Sequence, residues 1–397
     1  ILRQPDPMLF GPRSRLYYWG LTIVATVGVL LFFIFSRSSP ASKRWGAEAV
    51  TISVAALILG PIPFWVTGLD IRLNFPFDRL TLPMMLGASL LLVAVLELLI
   101  KKKTVKVLLI SLIIGLSVGF HYQNSITYRR DWQHQISFFQ QLTWRIPALE
   151  PNTAILSNQL SATQSTDNSL TAPLNWTYAP DFSSGDMPLF MYYIELRFGR
   201  EQTFFDKDTT LSRLYRFFPF EGSPQQALVL YHAPPACLRV LDDAHHHYYP
   251  LLPSYMREVL PYSHPDRIIT DAESAATLPG VLAKYPQTKS WCYYFEKADL
   301  ARQRGDWEQV AQLGDIAFPL DDSPNHASER LPFIEGYAHT GQIARAEALT
   351  FEALEINKFI GPMLCEAWER IEASTPASTQ RDEALERINQ AMDCDLY

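Results

Sequence analysis

Four apolar runs dominate the first third of the chain, over residues 16–35, 47–67, 80–100 and 105–122. Each approaches the roughly 20 helical residues that cross a hydrocarbon core of about 30 Å. The first holds no charge and only Thr22 and Thr26 as polar residues. The second contains Gly60, Pro61 and Pro63, which should kink it or end it early. The third carries Glu97 four residues before Lys101, an expected interfacial ion pair. The fourth has Gly115 and Gly119 at the small-xxx-small spacing of packed membrane helices. Tyr17, Tyr18, Trp19, Trp45, Trp65 and Tyr122 mark the boundaries as an aromatic belt would.

After residue 122 the pattern changes. Trp132, Ile136, Phe139 and Leu142 fall at helical spacing and predict an amphipathic connecting helix within 123–150. Residues 153–157 read as a short buried strand and 189–198 as a helix. Residues 211–220 and 227–241 read as strands, the second broken into a hairpin by Pro234-Pro235. With no repeated βαβ rhythm, 151–290 is expected to be a small α/β or α+β domain. From 291 to 397 the pattern is helical. The expected fold class is thus a four-span helical membrane bundle over 1–122, the connecting helix, the α/β or α+β domain and an all-α tail.

Charge sets the topology. Residues 1–120 hold twelve Lys/Arg and five Asp/Glu; the remainder holds 22 against 36, a net of −14. An acidic soluble region argues against nucleic acid as a partner. The turns after spans one and three carry Arg37, Lys43, Arg44, Lys101, Lys102, Lys103 and Lys106. Between spans two and three, Arg72 and Arg79 are balanced by Asp70 and Asp78. The excess of cations places the first and third turns in the cytoplasm and everything after Tyr122 outside. Integral placement in a bacterial cytoplasmic membrane, with the last two thirds extracytoplasmic, is the expectation. The chain opens Ile-Leu-Arg-Gln, without an initiator Met or signal pattern, and Pro5, Pro7 and Pro12 precede the first span. It reads as the C-terminal portion of a longer polytopic protein, although an incompletely identified sequence would begin the same way.

The tail carries a recurrence. Ala298, Ala301, Gly305, Asp306 and Ala317 form one register, and Tyr337, Gly341, Ala346 and Ala353 a second. Gly305 and Gly341 are 36 residues apart, and Ala384, Ile388 and Ala391 suggest a third unit. Small residues let helices of a hairpin approach closely, and each pair needs its neighbour. The segments Ala298-Asp-Leu-Ala-Arg-Gln-Arg-Gly-Asp-Trp and Gly336-Tyr-Ala-His-Thr-Gly-Gln-Ile-Ala-Arg-Ala resemble the tetratricopeptide repeat family over about 100 residues. The usual Trp-Leu-Gly opening is missing, and the expected proline is displaced to Pro324 or absent. The resemblance implies a stack that presents a concave surface to a partner protein. The stretch from Asp299 to Trp307 is expected to be the solvated face and core of one unit.

A second resemblance covers some thirty residues around Arg72-Leu-Asn-Phe-Pro-Phe-Asp-Arg79-Leu-Thr-Leu-Pro83. An interfacial Arg followed by a helix-starting proline is similar to late spans of integral-membrane glycosyltransferases that use polyprenyl-phosphate donors. It implies that Arg72 and Arg79 contact a lipid phosphate. The acidic catalytic residue of that family has no match here, and an Arg paired with Asp70 or Asp78 is the simpler reading.

Other chemistry is sparse. The chain shows no Gly-rich phosphate loop, no His-Glu-x-x-His and no Gly-x-Ser-x-Gly, so no catalytic or cofactor-binding residue is assigned. His245, His246 and His247 follow Asp242 and Asp243; adjacent side chains diverge, so a solvated loop is expected rather than a metal site. Asn175-Trp176-Thr177 fits a glycosylation pattern too short to carry weight. Cys237, Cys292, Cys365 and Cys394 all follow the spans, and an outer location suggests disulfides. Of three connectivities, Cys237–Cys292 with Cys365–Cys394 is favoured; four buried free thiols is the alternative. Two functions follow: a membrane-anchored scaffold or assembly component, whose partners are the bilayer and a protein bound through the repeats or the spans, or the C-terminal part of a lipid-linked-sugar transferase of the cell envelope.

Overall fold

In the computed structural model, residues 11–36, 43–73, 78–160, 165–183, 185–197, 210–270 and 275–394 are described. Arg37, Pro5, Pro7 and part of the loop between Arg72 and Arg79 lie outside them. Four helices are long and apolar enough to cross a membrane. They are built on α1 (Pro12–Phe35), α2 (Lys43–Leu59), α3 (Leu82–Leu99) and α4 (Lys103–Arg145). Contacts divide the chain into two compact units, 1–130 and 131–397.

In the first unit, α2 ends before Gly60 and a short helix, Ile62–Val66, resumes after Pro61. Proline removes an N–H and crowds the preceding turn, which explains the break. The glycines of α4 do pack. A Cβ on Gly115 would strike Thr26 and the Thr22 carbonyl of α1, and one on Gly119 would strike Thr22 and the Tyr18 ring. The hydroxyls at that contact return to their own helix: Thr22 Oγ1 donates to the Tyr18 carbonyl at 2.8 Å and Thr26 Oγ1 to Thr22 at 2.7 Å. Neither threonine hydroxyl is then left for lipid to solvate. Likewise, Gly87 of α3 lies against the Ser53 carbonyl and Ala56 of α2. Leu16, Val24, Phe32 and Leu86 face outward, as lipid-facing residues do. Glu97 pairs with Lys106 rather than with Lys101.

The expected boundary at 122 is not a helix boundary: the connecting helix continues the fourth span without a break, and α4 is one helix of 43 residues that ends at Arg145. No proline or glycine interrupts the chain between Gly119 and Pro147, so a change of polarity occurs without a change of backbone.

The second unit holds a four-stranded sheet of β1 (Thr153–Ser157), β2 (Leu189–Tyr193), β3 (Ala227–Tyr231) and β4 (Arg239–Leu241). The order is β2-β1-β3-β4; β2 and β3 run parallel to β1, and β4 runs antiparallel to β3. The expected helix over 189–198 is instead a strand over Leu189–Tyr193, and only the turn Ile194–Arg197 after it is helical. The strand's apolar run Leu-Phe-Met-Tyr-Tyr is buried at every position, the mark of a strand covered on both faces, and a short run of this kind has no period to read. The expected strand at 211–220 is a hairpin, Leu211–Tyr215 with Phe218–Gly222.

Helix α5 (Asp167–Tyr178), which connects β1 to β2, has a weak sequence signal because its buried face mixes Leu170 and Leu174 with Asp167, Thr171, Asn175 and Thr177. Thr171 and Asn175 stand four residues apart and occupy the open edge of β2. The Met191 N–H donates to Thr171 Oγ1 at 3.2 Å. Asn175 accepts from the Leu189 N–H at 3.1 Å and donates to its carbonyl at 2.8 Å. Side chains thus satisfy an edge that would otherwise invite another strand. With Asn175 only 5% exposed and its amide engaged on both sides, the glycosylation pattern is closed to a glycan in the folded protein.

The tail comprises α6 (Trp291–Gln303), α7 (Trp307–Ala317), α8 (Leu331–His339), α9 (Ile343–Ile356), α10 (Gly361–Ser374) and α11 (Thr379–Met392). Gly305 and Gly341 reverse the chain after α6 and α8 with φ of 71° and 80°, a region costly for residues with a Cβ. Gly336 of α8 lies directly on Val310 of α7, and Gly314 of α7 on Phe333 and Tyr337. Ala301, Tyr337, Ala346, Ala353, Ala384 and Ile388 are buried, whereas Ala391 is exposed. No core boundary appears at 290: one apolar cluster includes Leu156, Val229, Trp291, Tyr337 and Ile388.

This packing predicts a contrast. Ala346→Trp overpacks the stack and costs about 1–3 kcal/mol, whereas Gln342→Trp, at an exposed turn, changes stability by about 0.5 kcal/mol or less. Thermal unfolding of the two variants measures it. Equal midpoints would mean that Ala346 does not face a neighbouring helix.

Candidate functional site

The densest chemistry of the second unit is an interior charge network where the end of α4 meets the tail helices. Glu296, Asp299 and Arg302 recur every three residues on α6, which sets them along one face. The stretch from Asp299 to Trp307 is expected to hold both a solvated face and core; Asp299 is fully buried and Arg302 is 3% exposed, and Glu296, one turn earlier, is fully buried as well.

Arg145, from the last turn of α4, reaches Asp299 Oδ2 at 3.2 Å, with both side chains wholly buried. Arg302 Nη2 donates to Asp299 Oδ1 at 2.7 Å, and its Nη1 to Glu335 Oε2 of α8 at 3.4 Å. Arg370 of α10 donates to Glu335 Oε1 at 2.9 and 2.5 Å and to the Ala244 carbonyl at 2.9 Å. The chain Arg145–Asp299–Arg302–Glu335–Arg370 thus links four helices by alternating charges. Burial acts to raise the Asp299 and Glu335 carboxyls, but the neighbouring guanidinium groups outweigh it and hold both below their ordinary values. Glu296 lacks such contacts. Neither of its oxygens has a hydrogen-bond partner, and burial pushes its carboxyl far up, against the opposing pull of Arg145.

A second knot joins sheet to tail. The Cys237–Cys292 disulfide, with a Cα–Cα distance of 5.3 Å, ties the β3–β4 connection to α6. Glu329 accepts from the Cys237 N–H at 2.9 Å, the Trp291 indole at 2.8 Å and the Asn325 N–H at 2.8 Å. Arg239 of β4 donates to Ser328 at 2.8 Å, its guanidinium lying over the Tyr249 and Phe295 rings. The remaining cysteines form Cys365–Cys394, from α10 to the end of α11.

The histidines do not form a loop. Asp242 caps a one-turn helix, Asp243–His246, accepting from the His245 N–H at 2.8 Å. His246 is buried, which lowers its pKa, while the His247 side chain stays more than half exposed. Among the described residues no cluster of three or more His, Cys, Asp or Glu could hold a metal. In the first unit Arg72 donates to Asp70 at 2.6 Å, and the Arg79 N–H to Asp78 at 2.9 Å.

Two depressions open on the surface of the second unit near these knots. One, of about 310 Å³, is polar and lined by Ser137, Gln140, Gln141 and His232, whose burial pushes its imidazole down to about 3. The other, of about 540 Å³, is lined by His247, Tyr248, Leu251, Arg257 and Phe359. Phe359, between α9 and α10, is 80% exposed. The sequence signal that was available for the network is the i, i+3 spacing of Glu296, Asp299 and Arg302; its partners come from distant helices and carry no local signal. No protein-family model matches the chain, and neither a curated protein nor a solved structure is similar to it.

Proposed function

We propose that the protein is a membrane-anchored scaffold whose second unit stands outside the cytoplasm and presents its tail helices to a partner protein. The supporting observation is Phe359. A large aromatic left exposed beside a depression walled by Leu251, Tyr248 and Arg257 is the kind of anchor point that protein interfaces bury. The charge network favours the same reading, because it fixes α6, α8 and α10 against one another and so pre-organises the face. The tetratricopeptide-like recurrence adds the left-handed turns at Gly305 and Gly341. The transferase reading rests on Arg72 and Arg79 alone, and Arg72 is engaged by Asp70.

A photoreactive amino acid at position 359, illuminated in native membranes, tests the reading. A discrete protein adduct that disappears with Leu251→Asp is expected. Adducts to lipid only, or none, would remove the face as a docking site. Ser183→Cys, exposed and away from that face, should react with a membrane-impermeant maleimide on intact cells; reaction only after lysis would reverse the topology.

A further inference from the structure

The hairpin Leu211–Tyr215/Phe218–Gly222 departs from what a stable, soluble hairpin would use. Its two-residue turn is Arg216-Phe217, where Asn-Gly is the favoured pair. Arg216 sits at φ 59°, a left-handed conformation that a Cβ-bearing residue adopts only at a cost. Phe217 beside it is 90% exposed, and Leu214 is 68% exposed. Trp176 of α5 adds a further exposed ring, at 62%. Between hairpin and helix lies an apolar trough of about 550 Å³, lined by Trp176, Phe182, Met187, Tyr215 and Phe218. Arg213 and Arg216 are exposed alongside these rings, in a region that is otherwise strongly acidic.

We propose that this hairpin is a lipid-docking element, inserting Phe217 and Leu214 into the interface of an anionic bilayer while Arg213 and Arg216 bind headgroup phosphates. Aromatic and aliphatic tips flanked by arginine are the composition of interfacial anchors, in which apolar burial and headgroup attraction act together. Two observations favour a lipid surface over a protein partner. The chain carries four helices fit to cross a bilayer, so such a surface accompanies every copy. The two cations at the tip complement anionic headgroups, and neither the net charge of the region nor hairpin stability accounts for them. The turn strain has a reason on this view: it places an arginine and a phenylalanine side by side at the outermost point of the hairpin.

The test uses the full chain in lipid nanodiscs. All four cysteines are in disulfides, so Leu214→Cys offers a single thiol for a nitroxide label. In discs containing phosphatidylglycerol, the label should be reached by oxygen and shielded from a water-soluble nickel complex. The shielding should vanish in pure phosphatidylcholine discs, and in anionic discs once Phe217→Ser and Arg216→Glu are added. Unfolding midpoints of the variants, expected to match the parent because the tip is exposed, separate lost docking from lost folding. A label open to nickel in anionic discs overturns the proposal. So does shielding that survives in phosphatidylcholine or in the substituted hairpin, since the label would then be covered by protein.

Discussion

Asp299→Ala should cost the second unit about 3–5 kcal/mol of stability, the range measured when one member of a buried ion pair is removed. The carboxylate lies between Arg145 and Arg302, and all three side chains are essentially out of solvent. Arg302 keeps Glu335 as a second partner at 3.4 Å, so the harm falls mainly on Arg145. Its Nη1 has no hydrogen-bond partner even in the native protein, and burial already depresses its pKa. Without Asp299 it keeps the hydrogen bond to Gln303, with the Glu296 and Asp242 carboxyls acting without direct contact. Chemical unfolding of the full chain in nanodiscs, followed by tryptophan fluorescence, measures the loss. Arg145→Met combined with Asp299→Leu should cost less than Asp299→Ala alone, because no charge is then stranded. A single-variant cost below about 1 kcal/mol would assign the pair to a solvated site and contradict its burial.

How much of this was legible beforehand depends on whether a feature is local. Membrane spans are, because lipid demands an unbroken run of apolar residues, and four helices of that kind are present. The reach of α4 was not legible, since the shift to polar residues at 122 marks a change of side-chain polarity and not of conformation. The strand Leu189–Tyr193 and the helix Asp167–Tyr178 were misread or missed for a common reason. Periodicity assumes that buried faces are apolar and half-exposed. A fully buried strand has no polar alternation, and α5 buries Thr171 and Asn175 against the open edge of β2. In the tail the small residues marked the helix contacts at Ala346 and Ala353. The stretch from Asp299 to Trp307 reads as solvated face and core together, and nothing local tells which of its charges are buried. Only the tertiary fold brings Arg145, 154 residues away in sequence, to Asp299.

Glu296 provides the complementary case, a carboxyl that the fold buries without neutralising contacts. Its pKa is raised well above the ordinary 4.5, chiefly by burial. The native protein therefore holds this proton at pH values where the unfolded chain has released it. Above about pH 4.5 the native state binds more protons than the unfolded one, and stability falls as pH rises, by at most about 1.4 kcal/mol per unit. The loss continues until pH passes the native pKa; below 4.5 it is absent. Glu296→Gln keeps the shape and removes the titration. At pH 4 the variant should match the parent, and its advantage should widen as pH rises until the native carboxyl ionises. Every other titrating group is common to both proteins, so the difference between their unfolding midpoints isolates this one residue. A difference that stays flat between pH 4 and 8 would mean that Glu296 is ionised in both states. A variant less stable at pH 8 would mean that Arg145 or Arg239 pairs with the carboxylate, and that Glu296 belongs to the same alternating chain as Asp299.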